Sequence, residues 1–324
     1  MRHIITRVIL LSILSLICLS SFSQKNESVN GSLLWSKVVE SNIPSVGTRY
    51  IVPSNYRIAK LNINKVSSFL NNVPILPLQD VNNSNYFIDI PLPEGGFERF
   101  RIIETPVIEA TLQRSYVNIR TYTGSSLNNN GKTIKLDFTP QGFHAMILDA
   151  NGSSIFIDPY SFGGGDIEHY IIYYKKHYVC SVVKTFECGV ISDSAKVAAS
   201  GNTKSFGSCE LRTYRLALSA TGEYTAFHGG TVALAQAAQV TTMNRVNGVF
   251  ERDMAITMVI ITNNNQIIYT NGGSDPFSNG LTGAMINENQ TNTDAVIGSA
   301  NYDVGHIFGT NSGGLAQLNS PCGG

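Results

Sequence analysis

Histidine is the side chain with which this sequence would most readily hold a catalytic metal, so histidine spacing decides which metal chemistry is open to it. A zinc-binding catalytic helix carries two histidines four positions apart, with a glutamate directly after the first to activate water. No histidine in the sequence precedes a glutamate, and no two are four positions apart. We therefore predict neither catalytic residues nor metal ligands. The six histidines are His3, His144, His169, His177, His228 and His306.

Cysteine offers a second kind of chemistry, as disulfide bonds or as a reactive thiol. Of the five cysteines, Cys18 lies in the predicted leader and four remain. Four cysteines in an oxidising compartment allow three pairings, among which the sequence does not choose. No pair has the two-residue spacing of a zinc knuckle, so disulfides and one inhibitory thiol both stay open. The four are Cys180, Cys188, Cys209 and Cys322.

The leader sets the compartment in which the rest of the chain works. Basic residues precede the apolar run Val8–Leu19, and small residues flank a cut after Ser23. This order predicts a secretory signal peptide over residues 1–23 and a secreted, extracellular protein. An uncleaved membrane anchor is the alternative, but the run is short for a hydrocarbon core of ~30 Å. No other segment is apolar for long enough, so we predict no stable membrane span after signal cleavage.

The charge balance argues against two classes of partner. Lys and Arg total 23 and Asp and Glu total 23, which gives a formal net charge of zero. Composition therefore makes no case for nucleic acid or acidic lipid as the partner. Only 14% of the residues are charged, so neutral polar groups must keep the protein soluble, as suits an extracellular β-rich chain.

Residues 24–188 are predicted to form a mainly antiparallel, β-rich module of the α+β class. Residues 36–46 and 50–52 are expected to start its sheet, and a short amphipathic helix follows Asn62 and ends by Pro74. Six further strands alternate with turns, and a last one is expected over Tyr170–Val183. The six are Tyr86–Ile90, Phe97–Ile103, Val117–Tyr122, Ile134–Phe138, Phe143–Asp149 and Ser154–Ile157.

Residues 189–208 are predicted to be a flexible linker. They are small and polar, with few bulky apolar side chains, so they do not supply a core. Such a segment is the expected place for a domain boundary and for a protease to cut.

Residues 209–324 alternate between strand and helix patterns. The run Tyr214–Ala220 is predicted to be a strand, Thr231 caps a helix, and the nearly continuous apolar run Met254–Ile261 predicts a strand covered on both faces. Together they predict a right-handed β-α-β unit with parallel strands. The remaining expected elements are a strand at 267–269, a helix from Asn287 that Gly298 ends, a strand at Tyr302–Phe308 and a short edge strand at Gly313–Leu318.

Several groups of residues in this second unit occur in a characteristic order. They are Leu211–Leu218, Gly222-Glu223-Tyr224, His228-Gly229-Gly230, Tyr302–Phe308, and Gly313–Ala316 leading to Cys322. In order and spacing they resemble the reprolysin-like (adamalysin-type) zinc metallopeptidases, a branch of the metzincins, and especially the secreted bacterial members. The module over 24–188 lies where that family keeps its propeptide.

The resemblance implies a fold, an activity and a cofactor. The fold is an α/β metzincin-like catalytic domain, and the activity is hydrolysis of internal bonds in protein or peptide substrates by zinc-activated water. The family's zinc helix follows the position at which Cys322-Gly323-Gly324 stand. We therefore expect this chain to be truncated before that helix, so that the zinc ligands are not present in it and it is inactive alone.

The resemblance also implies two sets of site residues. In the family, an edge strand before the zinc helix pairs with an extended substrate, and the matching residues here are Gly313, Gly314, Leu315 and Ala316. Propeptides of related peptidases direct a cysteine thiolate at the zinc to hold the enzyme latent. Cys180 and Cys188 are the candidates for this latency thiol, and a disulfide between them or to Cys209 stays open.

Our leading hypothesis is the N-terminal portion of a secreted zinc-dependent metalloendopeptidase, made of a signal peptide, a propeptide-like module, a linker and the first part of the catalytic domain. The alternative is a non-catalytic secreted binding or adhesion protein on a metallopeptidase-like scaffold. A third hypothesis is that the module acts in trans as an inhibitor of a related peptidase.

Overall fold

The computed structural model describes residues 27–128, 131–150, 152–178, 188–191, 210–280, 283–311 and 313–317. The predicted signal peptide lies outside these ranges, as do Cys180, Cys209 and Cys322. Within them the chain has an α+β fold with a ten-stranded sheet, a three-stranded sheet and a two-stranded pair. We call residues 27–178 the upstream module and residues 210–317 the α/β domain.

The upstream module is built on the ten-stranded sheet. Its strands are β1 (Glu27–Val29), β2 (Trp35–Lys37), β3 (Arg57–Leu61), β4 (Tyr86–Pro91), β5 (Phe97–Glu104), β6 (Arg120–Ser126), β7 (Thr133–Thr139), β8 (Gly142–Leu148), β9 (Ile155–Pro159) and β10 (His169–Tyr174). They lie in the order β1-β4-β5-β6-β7-β8-β9-β10-β3-β2. The pair β1 and β4 is parallel, and the other pairs are antiparallel.

The apolar side chains of this sheet form one core with a short helix. The module's helices are α1 (Gly31–Leu34), α2 (Ile63–Leu70) and α3 (Ala110–Ser115). Helix α2 begins at Ile63 because the Asn62 side chain accepts a hydrogen bond from the Lys65 N–H at 3.1 Å. Its buried Val66 and Leu70 pack into the core, which therefore forms as the sequence pattern predicts.

The α/β domain is built on three parallel strands. They are β12 (Arg212–Ala220), β13 (Ile256–Ile260) and β14 (Val304–Phe308) in the order β13-β12-β14. The helices are α4 (Gly222–Phe227), α5 (Val232–Met254) and α6 (Gly283–Val296). The Thr231 side chain caps α5 by accepting a hydrogen bond from the Leu234 N–H at 3.2 Å. The predicted arrangement of two parallel strands joined by a helix is therefore present.

Several boundaries in the upstream module differ from the prediction. Strand β3 was not expected, because it has only five residues and two of them are basic. Its Ala59 and Leu61 are nevertheless buried in the core. Of the early strands expected over 36–46 and 50–52, the structure has only β2 at Trp35–Lys37 in this described part of the chain. The strand expected to reach Val183 ends at Tyr174, because a 3-10 turn over Lys175–His177 redirects the chain.

The α/β domain differs from the prediction at four places. The strand expected at 267–269 is reduced to a single β-bridge between Ile268 and Ala220 after a 3-10 helix over Asn264–Ile267, and α4 was not expected. Helix α6 begins earlier than Asn287, although Gly298 does follow its end with φ of 86°. Strand β13 was expected to be covered on both faces. Only its Ile260 is buried, and its other four residues are half-exposed.

A two-stranded parallel pair joins the segment before the α/β domain to its C-terminal strand. The pair consists of β11 (Cys188–Ile191) and β15 (Gly314–Gln317). Residues 189–191 belong to the predicted linker, so the described part of that linker is a strand. The rest of the linker, residues 192–208, lies outside the described ranges.

Candidate functional site

The strand predicted to bind substrate, β15, is covered along one edge by β11. The parallel register places Cys188 beside Gly314 and Val190 beside Ala316. An edge strand binds an extended peptide through its free backbone N–H and C=O groups, and β11 uses those groups on this side. The structure therefore brings three of the four predicted substrate-binding residues together with Cys188. The fourth, Gly313, directly precedes the strand with φ of 114°.

A cleft of about 380 Å³ lies between β14, β15 and α6. This volume is within the range of ~300–1,000 Å³ typical of ligand-binding clefts. All of β14 lines it, together with Gly314–Ala316 of β15. The other walls combine amide and apolar side chains, namely Asn279, Asn289, Gln290, Asn311, Met285 and Ile286.

The two histidines of the α/β domain lie among aromatic rings. His228 is half-buried and lies 4.3 Å from Tyr224 and 5.0 Å from Phe227, measured between ring centroids. Burial lowers its pKa to about 4, so the ring is neutral near pH 7. His306 on β14 packs edge-on against Phe308 at 5.4 Å. Neither contact forms a set of metal ligands.

Zinc has no ligand set among the residues that the structure describes. No three side chains of histidine, cysteine, aspartate or glutamate in those ranges are grouped so that they could hold a metal ion. His144 and His169 have carboxylate partners instead, Asp137 at 2.9 Å and Asp166 at 2.8 Å. The donor set of the described chain therefore does not fit a catalytic zinc ion, and we derive no catalytic step through one.

A second cluster of polar residues, which the sequence analysis missed, lies between the upstream module and helix α5. Lys135, Asp137 and Asp158 come from strands β7 and β9, and each is nearly fully buried. They contact Glu251, Thr241 and Arg245 of α5, respectively. The available signal was the polar stripe at helical spacing on α5, but such a stripe alone usually predicts a solvated face.

Comparison with protein families identifies the C-terminal part of the chain. Residues 210–323 match the model of Metallo-peptidase family M12B, Reprolysin-like, and no curated protein matches the chain. Among the described helices, none has the length and apolar character needed to cross a membrane. The resemblance predicted from the sequence is thereby confirmed: residues 210–323 are similar to the reprolysin-like metallopeptidase family.

Proposed function

We propose that this chain is the N-terminal portion of a secreted zinc-dependent metalloendopeptidase, in which residues 24–188 are the propeptide. The observation that carries the proposal is the pairing of β11 with β15, within a chain whose residues 210–323 match the reprolysin-like family. The segment Cys188–Ile191, which precedes the family match in the sequence, pairs with the strand that we propose binds substrate. Such an arrangement would help to hold a peptidase latent.

The pairing supports latency through backbone geometry. An extended peptide that added to β15 on this side would need the hydrogen-bonding groups that β11 already uses. Binding of substrate there therefore requires that Cys188–Ile191 leave first. Of the two candidate latency thiols, Cys188 belongs to this covering segment, which favours it over Cys180.

The exposure of the three-stranded sheet supports the proposal that further chain completes the domain. Strand β14 has no buried residue, and four of the five residues of β13 are half-exposed. The cleft lies between β14 and β15, and all of β14 lines it. We propose that the zinc ligands are not supplied by this chain, since no His-Glu-x-x-His sequence occurs in it.

The natural secreted protein, purified from culture medium, provides the test of the activity. We expect it to contain zinc and to cleave casein in a reaction that a chelator abolishes. If it has no zinc and does not cleave casein, the peptidase proposal is wrong.

Replacement of Gly189 and Val190 by proline tests the covering role of β11, because proline lacks the N–H group that a strand ladder needs. The Gly189→Pro/Val190→Pro protein should cleave a peptide substrate faster than the unactivated natural protein. The matched control is Gly189→Ala/Val190→Ala, which keeps both N–H groups and should remain latent. Equal rates for the two variants would contradict the covering role.

The second candidate function is a secreted binding or adhesion protein on the same scaffold. The absence of a zinc-binding sequence from all six histidines favours it, and the cleft beside β15 would then be its peptide-binding site. The zinc and casein measurements separate the two candidates, since only the peptidase loses an activity on chelation.

A further inference from the structure

We propose that the upstream module recognises helix α5 through a set of buried charges, and that it stays bound to the α/β domain after the chain between them is cut. Cutting would then not be sufficient to uncover β15. The retention itself is independent of catalysis, whereas its consequence for latency rests on the proposed function.

The first contact is an ion pair between Lys135 and Glu251. The Lys135 Nζ lies 2.6 Å from the Glu251 carboxylate, and the two side chains are only 6% and 13% exposed. Lys135 also donates a hydrogen bond to the Thr123 hydroxyl at 2.8 Å. A buried lysine requires such partners, because an unpaired charge there would be strongly unfavourable.

Two aspartates of the module make the next contacts along the helix. Asp158 accepts a charge-assisted hydrogen bond from Arg245 at 2.5 Å and another from the Tyr173 hydroxyl at 2.9 Å. Asp137 accepts a hydrogen bond from the Thr241 hydroxyl at 2.7 Å. Each aspartate is therefore satisfied jointly by the module and by α5.

The backbone of β7 and a glycine of α5 make the remaining contacts between the module and the helix. The Asn244 side chain donates to the Leu136 carbonyl at 3.0 Å. At Gly248, an added Cβ would lie 2.8 Å from the Lys135 Cγ, so the missing side chain lets the helix approach the sheet. One face of the helix carries all of the contacting positions, which are 241, 244, 245, 248 and 251. The module therefore contacts this whole face.

Apolar contacts also join the same two bodies. Val107, Ile108, Leu112 and Ile119 of the module share a cluster with residues of β12, β13 and α5. Ile108 forms a β-bridge with Ile260, which covers the last residue of β13 on its free edge. Separation would expose this cluster to water, so the hydrophobic effect adds to the charge contacts in opposing release.

The experiment uses the full chain with a site for a sequence-specific protease inserted between Ile191 and Glu210. After cutting, the protein is run on a size-exclusion column under reducing conditions, so that no disulfide holds the pieces together. We expect one species with the mass of the intact chain. Two separated pieces at micromolar concentration would overturn the inference.

Charge reversal tests whether the helix contacts carry the retention. Glu251→Lys should weaken the association of the cut pieces by at least about ten-fold, because it leaves Lys135 without its partner. The double variant Lys135→Glu/Glu251→Lys should restore the association. Arg252→Glu, on the exposed side of the same helix, should leave it unchanged. A double variant as weak as the single one would refute specific recognition.

These measurements report whether the two cut pieces associate, and they do not depend on cleavage of a substrate. Separation of the pieces would remove the retention inference while the proposed function stands. Failure of the zinc and casein measurements would remove the proposed function while the retention inference stands.

Discussion

Replacement of Arg245 by methionine tests the idea that buried charges hold the upstream module on helix α5. Methionine keeps the length and the apolar stem of the arginine but removes the guanidinium group. Asp158, which is 3% exposed, then keeps only the hydrogen bond from Tyr173. The variant therefore leaves a buried carboxylate without a counter-charge.

The magnitude follows from the burial of the pair. Breaking a buried ion pair by removing one partner costs ~3–5 kcal/mol. Water still reaches the Arg245 side chain, which is 24% exposed, so we expect the lower end, a loss of about 3 kcal/mol in the free energy of unfolding. Urea denaturation followed by circular dichroism measures this loss.

The matched control is Arg252→Met on the same helix. Arg252 and Asp253 form an ion pair in which both side chains are more than two-fifths exposed, at 42% and 48%. Such exposed pairs contribute only ~0–1 kcal/mol, so the control should change stability by less than about 0.5 kcal/mol. Equal effects of Arg245→Met and Arg252→Met would refute the reasoning.

Three further predictions concern the stability of the protein. Gly248→Val should lower stability by about 1–3 kcal/mol in urea denaturation, because its side chain meets Lys135. Asn264→Ala should lower the free energy of unfolding by about 2–4 kcal/mol in the same assay, because the buried side-chain amide forms hydrogen bonds with both the N–H and the C=O of Leu218. The third uses the pKa of His228, which is lowered to about 4. As the pH falls, the His228 ring takes up a proton in the unfolded chain at a higher pH than in the folded protein. The free energy of unfolding should therefore decrease by up to ~3 kcal/mol between about pH 6.5 and about pH 4.

Control variants separate these effects from general damage. Arg252→Val places the same β-branched residue on the exposed side of α5 and should be nearly neutral. Asn265→Ala, at the exposed neighbour of Asn264, should likewise have little effect. His228→Phe removes the titrating group and should flatten the pH dependence between pH 6.5 and 4. Persistence of the full dependence in that variant would contradict the assignment to His228.

Local sequence patterns predicted the elements whose signals lie within one segment. The cap at Thr231, the glycine after α6 and the alternating strands from Tyr86 onwards depend on neighbouring residues, and the structure has them close to the predicted places. Strand β3 was missed because its two basic residues dilute a short apolar pattern, and its stability comes from pairing with β10 and β2.

Contacts between distant segments were not predictable from those patterns. The pairing of Cys188–Ile191 with β15 joins residues more than one hundred positions apart, and its four residues carry no strong strand signal. The partners of Lys135 and Asp158 are also distant in the sequence. A charged residue in an alternating strand usually predicts a solvated face, and only the position of α5 shows that this face is buried. The edge strand expected at Gly313–Leu318 is present as β15, but its pairing with β11 was not predicted.

The apolar cluster around Ile108 and Ile260 has a consequence for the order in which the protein folds. The module precedes β13 in synthesis, and N-terminal units fold first while a chain is being made. The segment around Ile108 is therefore in place when β13 emerges, and its bridge to Ile260 occupies an edge that would otherwise be free to pair with another chain. Synthesis order thus makes the covering segment available before the strand that it protects from pairing with other chains.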